Sequence, residues 1–361
     1  MINHIRIKNF KALKKISIDI GKINVFTGLN GMGKSTILQA FQIIRFSKST
    51  LPMELKIESF GTYEELFCEA SNEDIFQIQI KWDDDKIFDA KSNYDSSKYD
   101  QKVIDLNEND FESVKDKCLF QEDKVKYLSA ERIGPRDYYN TNKTIIANNQ
   151  FGDQGEFAVH YFHENKNKDI PLQSLAFGLE DKVFSLEEQL NKWLSVISPK
   201  IQVKTKINNN LVELFYEYAT KGPNTSPYRA KNAGFGLTYV FSVLVAILSA
   251  KKGDILIIEN PESHIHPKGQ SELARLLALA AESGVQIFLE THSDHIIYGL
   301  RVAVKEKLLN KNHIKLFYFD RDEMDHFSKV EEIKISNQGH LDNKSEGYFN
   351  EFENHLDRLL S

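Results

Sequence analysis

Residues Gly28 to Ser35, Gly-Leu-Asn-Gly-Met-Gly-Lys-Ser, satisfy the spacing G-x-x-x-x-G-K-[ST], whose chemistry is phosphate binding. Its glycines let the backbone wrap so that N–H groups converge on an anion, and the helix that follows adds a favourable partial charge. Lys34 reaches the β and γ oxygens of a triphosphate, and the Ser35 hydroxyl suits Mg²⁺. The expected ligands are therefore ATP and Mg²⁺, and the expected contact residues are Asn30, Gly31, Met32, Gly33, Lys34, Ser35 and Thr36.

A phosphate loop needs carboxylates, and two further segments offer them. Ile255 to Ile258 is an apolar run that ends in Glu259, as expected of a buried strand presenting a carboxylate that holds Mg²⁺ through water. Asn260-Pro-Glu262-Ser-His264-Ile-His266-Pro267 follows it. The two histidines could suggest a metal site, but His-x-His in a loop is a weak pattern. Val285 to Leu289 is a second apolar strand, ending at Glu290-Thr-His292-Ser-Asp294. A histidine at that end of a parallel strand is placed to meet a γ-phosphate or its attacking water. Ser293 or Asp294 serves equally well as a helix cap.

These residues need a scaffold to position them. Ile5, Ile7, Ile16, Ile18 and Ile20 alternate with polar residues around a Lys-rich turn at 11–15, which predicts a hairpin. Ile23 to Phe26 is a strand running into the glycine loop, and Ile37, Leu38, Phe41 and Ile44 mark one face of the helix beyond it. After about 237 the pattern alternates: helix 237–250, strand 255–258, helix 268–281, strand 285–289, helix 294–308, strand 314–319. Such alternation implies a mostly parallel sheet covered by helices.

Between these parts the stretch 50–125 is polar and irregular apart from a strand at Ile75 to Trp82, and it reads as an insertion. Residues 140–150 and 221–233 are rich in Asn, Thr, Gly and Pro and read as loops. A helix from Asp181 to Ile197 and a hairpin, 201–206 with 211–219, lie between them.

With 361 residues, 41% hydrophobic and 27% charged, the composition is that of a globular chain. The net charge of −6 argues against coating nucleic acid by bulk positive charge, although a local basic stripe is compatible with it. Cys68 and Cys118 support neither a disulfide framework nor a zinc site. No apolar run reaches membrane-spanning length and no signal peptide is visible, so the expected location is the cytoplasm.

The Glu259-to-Pro267 and Thr291-to-His295 segments, with the loop, resemble the ABC-type ATPases related to OLD-family, RecF and SMC heads. In particular the chain is similar to stand-alone bacterial AAA-family ATPases ending in a short Gly-aromatic tail, matched by Glu346-Gly-Tyr-Phe-Asn-Glu351. The likeness covers the first fifty residues, Leu128 to Arg136, and nearly everything after Asn232. It implies an α/β fold: an ABC-type P-loop NTPase head with a mixed central sheet, an antiparallel N-terminal hairpin and inserted α+β segments. The head would comprise 1–50, 120–140 and 230–336, with insertions at 51–119 and 141–229 and a tail at 337–361.

The resemblance also gives Gly234 and Gly236 the place of the ABC signature, which contacts the γ-phosphate held by a second subunit. That implies an ATP-dependent homodimer. Read alone, these glycines are only a loop entering an apolar helix. The Glu131-Arg132 pair is open between a nucleotide contact and a structural ion pair.

One departure bears on catalysis. ABC heads carry a second acidic residue where this chain has Asn260, and an amide cannot accept a proton from water. Glu262 or Glu259 must be the base, or hydrolysis is slow; slow turnover with tight ATP binding is expected. OLD nucleases add a Toprim domain, for which the chain ends early, and Asp320-Arg-Asp322 reads as a solvated turn. The expectation is a regulator of a separate effector, a nuclease or toxin, in anti-phage defence. A RecF-like DNA clamp is the alternative, DNA binding being open, and a transporter subunit ranks last.

Overall fold

The computed structural model describes residues 1–46, 53–54, 64–71, 73, 75–93, 103–106, 112–178, 182–222, 224–321, 327–341 and 358–360. In chain order the elements begin with β1 (Ile2–Phe10), β2 (Leu13–Asp19), β3 (Ile23–Gly28), α1 (Lys34–Phe46), β4 (Met53–Glu54), β5 (Ile75–Trp82), β6 (Ile87–Asn93) and β7 (Val103–Leu106). Then come β8 (Val125–Leu128), β9 (Tyr139–Asn140), α2 (Lys143–Ala147), α3 (Ala158–Asn165), α4 (Leu186–Ile197), β10 (Ile201–Asn208), β11 (Leu211–Tyr218) and β12 (Tyr228–Arg229). The last are α5 (Phe235–Leu248), β13 (Ile255–Glu259), α6 (Pro267–Glu282), β14 (Gln286–Glu290), α7 (Asp294–Lys305), β15 (Ile314–Arg321) and β16 (Ser328–Ile333). Asp181, Asp322 and the 346–351 motif lie outside the described residues.

The chain folds as two compact units, Met1–Phe120 with Ile314–Ser361, and Gln121–His313. The head expected at 1–50, 120–140 and 230–336 therefore draws on both.

In the first unit β1 and β2 form the predicted hairpin, pairing Ile5 with Ile18 and Ile7 with Ile16. The other edge of β1 pairs β5, Ile7 opposite Ile78, so one apolar row crosses three strands, each of these isoleucines but Ile18 being buried. Strand order continues to β6, β7 and β4, so the stretch that looked irregular in sequence extends the N-terminal sheet. A second ladder is mixed: β3 runs parallel to β15, Val25 beside Leu316, and β16 is antiparallel to β15. Phe26 packs between Phe317 and Phe319, ring centroids 5.6 and 6.0 Å away. The predicted face of α1, Ile37, Leu38, Phe41 and Ile44, is buried.

In the second unit β8, β13 and β14 are parallel, Ile257 lying between Tyr127 and Phe288. Strands covered on both faces read as continuous apolar runs, as Ile255 to Ile258 does. Beyond its first turn α5 is apolar apart from Tyr239 and Ser242 and buried except at Tyr239, the signature of a helix enclosed by protein. Helix α4 starts at Leu186, later than expected, because the Ser185 hydroxyl accepts the Glu188 N–H at 3.4 Å and fixes the cap there. Residues 140–150 are not wholly loop: the Asn142 side chain accepts the Ile145 N–H at 3.1 Å and starts the short α2. Among the described residues no helix is long and apolar enough to cross a membrane.

Asp254, at the start of β13, is fully buried and pairs with the Lys126 ammonium of β8 at 3.2 Å. Burial pulls the Lys126 pKa down, with Asp254 opposing. Removing one member of such a pair strands the other charge. Lys126→Met is expected to lower unfolding free energy by about 3–5 kcal/mol in denaturant titrations, and Lys126→Met/Asp254→Leu to recover most of it. A single-variant loss below about 1 kcal/mol, as for a surface pair, contradicts this.

Candidate nucleotide site

The loop between β3 and α1 owes its path to backbone conformations that only glycine adopts freely. Gly28, Gly31 and Gly33 have φ of +134°, +78° and +86°. At Gly28 a Cβ would lie 2.2 Å from the Phe319 carbonyl oxygen of β15, so the loop leaves its strand pressed against the neighbouring strand. Nothing lies within 4 Å of a Cβ at Gly31, the exposed crest of the loop. Lys34 is only 3% exposed, and its ammonium folds back to the Leu29 carbonyl at 2.7 Å. Glycine-shaped backbone, a helix start and an ammonium held over the loop are the donor set that a polyphosphate requires, so the residues present fit a nucleoside triphosphate. Ser35 is partly exposed in the first turn of α1, where the hydroxyl expected to meet Mg²⁺ belongs.

In the second unit the carboxyl ends of β8, β13 and β14 gather the acidic residues. Glu259 takes the Tyr127 hydroxyl on Oε1 at 2.5 Å and the Ala130 N–H on Oε2 at 3.0 Å. After it the chain turns through Asn260, which has φ +44°, a left-handed conformation that asparagine tolerates. The Asn260 N–H donates to the Glu290 carbonyl at 2.8 Å. Arg132 secures the turn: its guanidinium donates to the carbonyls of Ser129 at 2.9 Å, Asn260 at 2.6 Å, and Glu259. Burial lowers the Arg132 pKa to about 10 against the pull of Glu262 and Glu259, which leaves it charged at neutral pH.

Glu262 lies two residues past the turn. The His292 N–H donates to its Oε1 at 2.9 Å, while Oε2 is enclosed and has no hydrogen-bond partner. Burial pushes its carboxyl up; the His292 amide, the Thr291 hydroxyl and the Arg132 charge oppose. His292 thus orients Glu262 through its backbone, with its side chain exposed at the end of β14. Ser293 is the cap of α7, accepting the Ile296 N–H at 3.2 Å. His266 caps α6, its Nδ1 accepting the Lys268 N–H at 3.3 Å, and the His264 ring packs 5.0 Å from Tyr239. Among the described residues no cluster of three metal-ligating side chains forms.

Gly234 and Gly236 open α5 for different reasons. A Cβ at Gly236 would stand 2.1 Å from the His264 carbonyl oxygen, so glycine is needed to let the 260–266 turn approach. Gly234 has an ordinary φ of −61° and nothing within 4 Å of its Cβ position.

The structure brings Glu259, Glu262 and the His292 backbone together, and it adds Tyr127 and the Ala130 N–H, which sequence reasoning missed. Arg132 was visible as a residue, and its bonding to carbonyls was not. The Leu128-to-Arg136 segment was the only signal.

Residues 94–297 match the family described as "AAA domain, putative AbiEii toxin, Type IV TA system". The chain belongs to this AAA-domain family. Residues 1–175 also match "AAA ATPase domain", and 309–359 match a family of proteins of unknown function. This AAA-domain chain is 24% identical over 366 residues to an ATP/GTP phosphatase of Helicobacter pylori (strain ATCC 700392 / 26695), covering 90% of the chain and 93% of the relative. It is 22% identical over 358 residues to Endonuclease GajA of Bacillus cereus (strain VD045), covering 86% of the chain and 60% of the endonuclease. Its fold is that of SMC heads. An SMC head bound to the C-winged helix domain of ScpA aligns with TM-score 0.58 at 13% identity over 93% of the chain and 98% of the head. An Smc head domain with an extended coiled coil, bound to the C-terminal domain of ScpA derived from Pyrococcus furiosus, aligns with TM-score 0.56 at 11% identity over 100% and 99%. The AAA-domain chain is an ATPase of this α/β class.

The loop geometry separates two substitutions of one type. Gly28→Ala drives a methyl into the Phe319 carbonyl and should abolish nucleotide binding and lower Tm sharply. Gly31→Ala adds only backbone strain of about 1–2 kcal/mol. Melting curves with and without ATP distinguish them; equal effects contradict the contact at Gly28.

Proposed function

We propose that this chain is a slowly hydrolysing ATPase that closes as an ATP-bound homodimer, and that the closed dimer switches a separate effector, a nuclease or toxin, in anti-phage defence. The observation that carries it is the state of Glu262: this carboxylate, two residues past Asn260, keeps one oxygen unpartnered but sealed from solvent. A base in that condition works only when a water is admitted to it, which makes turnover slow and bound ATP persistent.

In this reading the N–H groups of 30–36 and the Lys34 ammonium bind the triphosphate. Ser35, and Glu259 through water, would hold Mg²⁺, which would supply positive charge against that of the phosphates. Glu262 takes the proton of the water that attacks the γ-phosphorus as ADP leaves, and the His292 ring orients that water. Both Glu259 oxygens already accept hydrogen bonds, which favours Glu262 over Glu259 as the base. Gly234, the exposed N-cap of α5 with nothing within 4 Å of its Cβ position, leaves a helix start uncovered, which supports a role facing another subunit's nucleotide. Leu29 and Phe235, each 64% exposed beside one of the two glycine motifs, supply apolar surface for closure. The endonuclease and toxin named among the relatives support an effector as the output.

Mass measured by light scattering should double with ATP and stay monomeric for Lys34→Ala; absence of an ATP-linked dimer would falsify closure. Glu262→Gln should cut steady-state Mg²⁺-ATP hydrolysis by ~10²–10⁴, and an unchanged rate removes Glu262 as base. Because burial raises its pKa, the ionised base is lost at a higher pH than an ordinary glutamate near ~4.3, so the acid limb of the rate profile should sit above that value. The second reading is a RecF- or SMC-like ATPase that grips DNA. ATP-strengthened, salt-sensitive DNA retention by the wild type, lost in Lys34→Ala, would favour it over effector switching.

A further inference from the structure

The second unit contains a cavity of about 450 Å³ that shares no residue with the segments around Glu259, Glu262, Gly234 or His292. It opens among α2, α3, the chain that follows α3, and the carboxyl end of α5. Lys143, Lys168 and Lys251 line it, all exposed, and among the described residues none of their ammonium groups has an ion-pair or hydrogen-bond partner. Three unpaired cations around one concavity attract an anion.

A buried donor points the same way. The Tyr161 hydroxyl donates to Asn149 Oδ1 at 2.7 Å, which fixes the amide and leaves Asn149 Nδ2 enclosed without an acceptor. Leaving a buried donor unmade costs about 1–3 kcal/mol, which a ligand oxygen would relieve once a side-chain shift opened Nδ2 to the cavity. Two carboxylates, Glu164 and Asp169, also line the cavity, so a simple polyanion is disfavoured and a ligand with hydroxyl or amino donors is preferred. Ile146, Ala147 and Pro171, which keep exposed surface, form an apolar wall backed by the buried Ile170, Leu186 and Leu248.

We propose that this cavity is a second ligand site, distinct from the triphosphate loop, that takes a free nucleoside monophosphate. The lysines meet the phosphate, Asn149 donates to a ligand oxygen, Glu164 and Asp169 accept from sugar hydroxyls or an exocyclic amine, and the apolar wall carries the base. The volume is in the range of small-molecule sites, ~300–1,000 Å³.

The test uses the full chain carrying Lys34→Ala, so that the triphosphate loop is silent. Calorimetric titration with AMP, GMP, CMP and UMP in turn is expected to give saturable one-site binding for at least one of them. Adding Lys168→Ala/Lys251→Ala, two exposed positions whose loss leaves the fold intact, should weaken that binding by about tenfold or more, the effect of ~1.4 kcal/mol. The matching nucleoside and inorganic phosphate should each bind at least about tenfold more weakly than the monophosphate. Three results would overturn the proposal: no saturable heat with any of the four, affinity unchanged in the lysine variant, or inorganic phosphate binding as tightly as the monophosphate. Because the ATP site is disabled throughout, failure here leaves the switch reading standing.

Discussion

The guanidinium of Arg132 is the tie on which the carboxylate-bearing end of the second unit depends. It reaches from the chain just beyond β8 to the carbonyls of Glu259 and Asn260 on either side of the left-handed turn, the second of which also accepts from the Ser263 N–H and hydroxyl. Hydrogen bonds from a charged donor are about twice as strong as neutral ones. The buried guanidinium is in turn kept charged by the two carboxylates whose backbone it organises. Turn geometry and site charge are therefore one arrangement, and neither is stable alone. The same turn presents the His264 carbonyl so closely to α5 that only glycine fits opposite, which extends the constraint to Gly236.

That arrangement divides two neighbouring glutamates by environment. Glu259 accepts a hydrogen bond on each of its oxygens. Glu262 takes the His292 N–H on one oxygen and keeps the other enclosed, and burial raises its proton affinity. Carboxylates held in surroundings this different are suited to different tasks, one electrostatic and one acid–base. The positive φ of Asn260 adds a reason for the residue type: an Asp or Glu there would bring a further charge beside Glu262, and asparagine tolerates the conformation without it.

What the sequence made legible was local. The glycine loop, the apolar strand ending in Glu259, the α1 face and the β10–β11 hairpin each declare themselves within a few residues, and each has the expected form. What stayed hidden was long-range. The pairing of β1 with β5 joins positions some seventy residues apart, so the sheet made by β5, β6, β7 and β4 could not be seen from a polar, aperiodic stretch. Tyr127 and Arg132 meet Glu259 across more than a hundred residues, and nothing in their own neighbourhood announces the partner. Caps explain the smaller misses: Ser185 and Asn142 set helix starts that periodicity alone places elsewhere or not at all.

Helix α5 carries one more consequence. Its fourteen residues make a rod of about 21 Å, with Gly234 and Gly236 at one end and, at the other, Leu248, which walls the lysine-lined cavity. The rod is enclosed by packed side chains along most of its length, and such packing resists continuous deformation. A displacement at either end is therefore delivered to the other as a movement of the whole helix. If occupancy of the cavity alters nucleotide affinity by this route, thermodynamic reciprocity requires nucleotide to alter affinity in the cavity by the same factor.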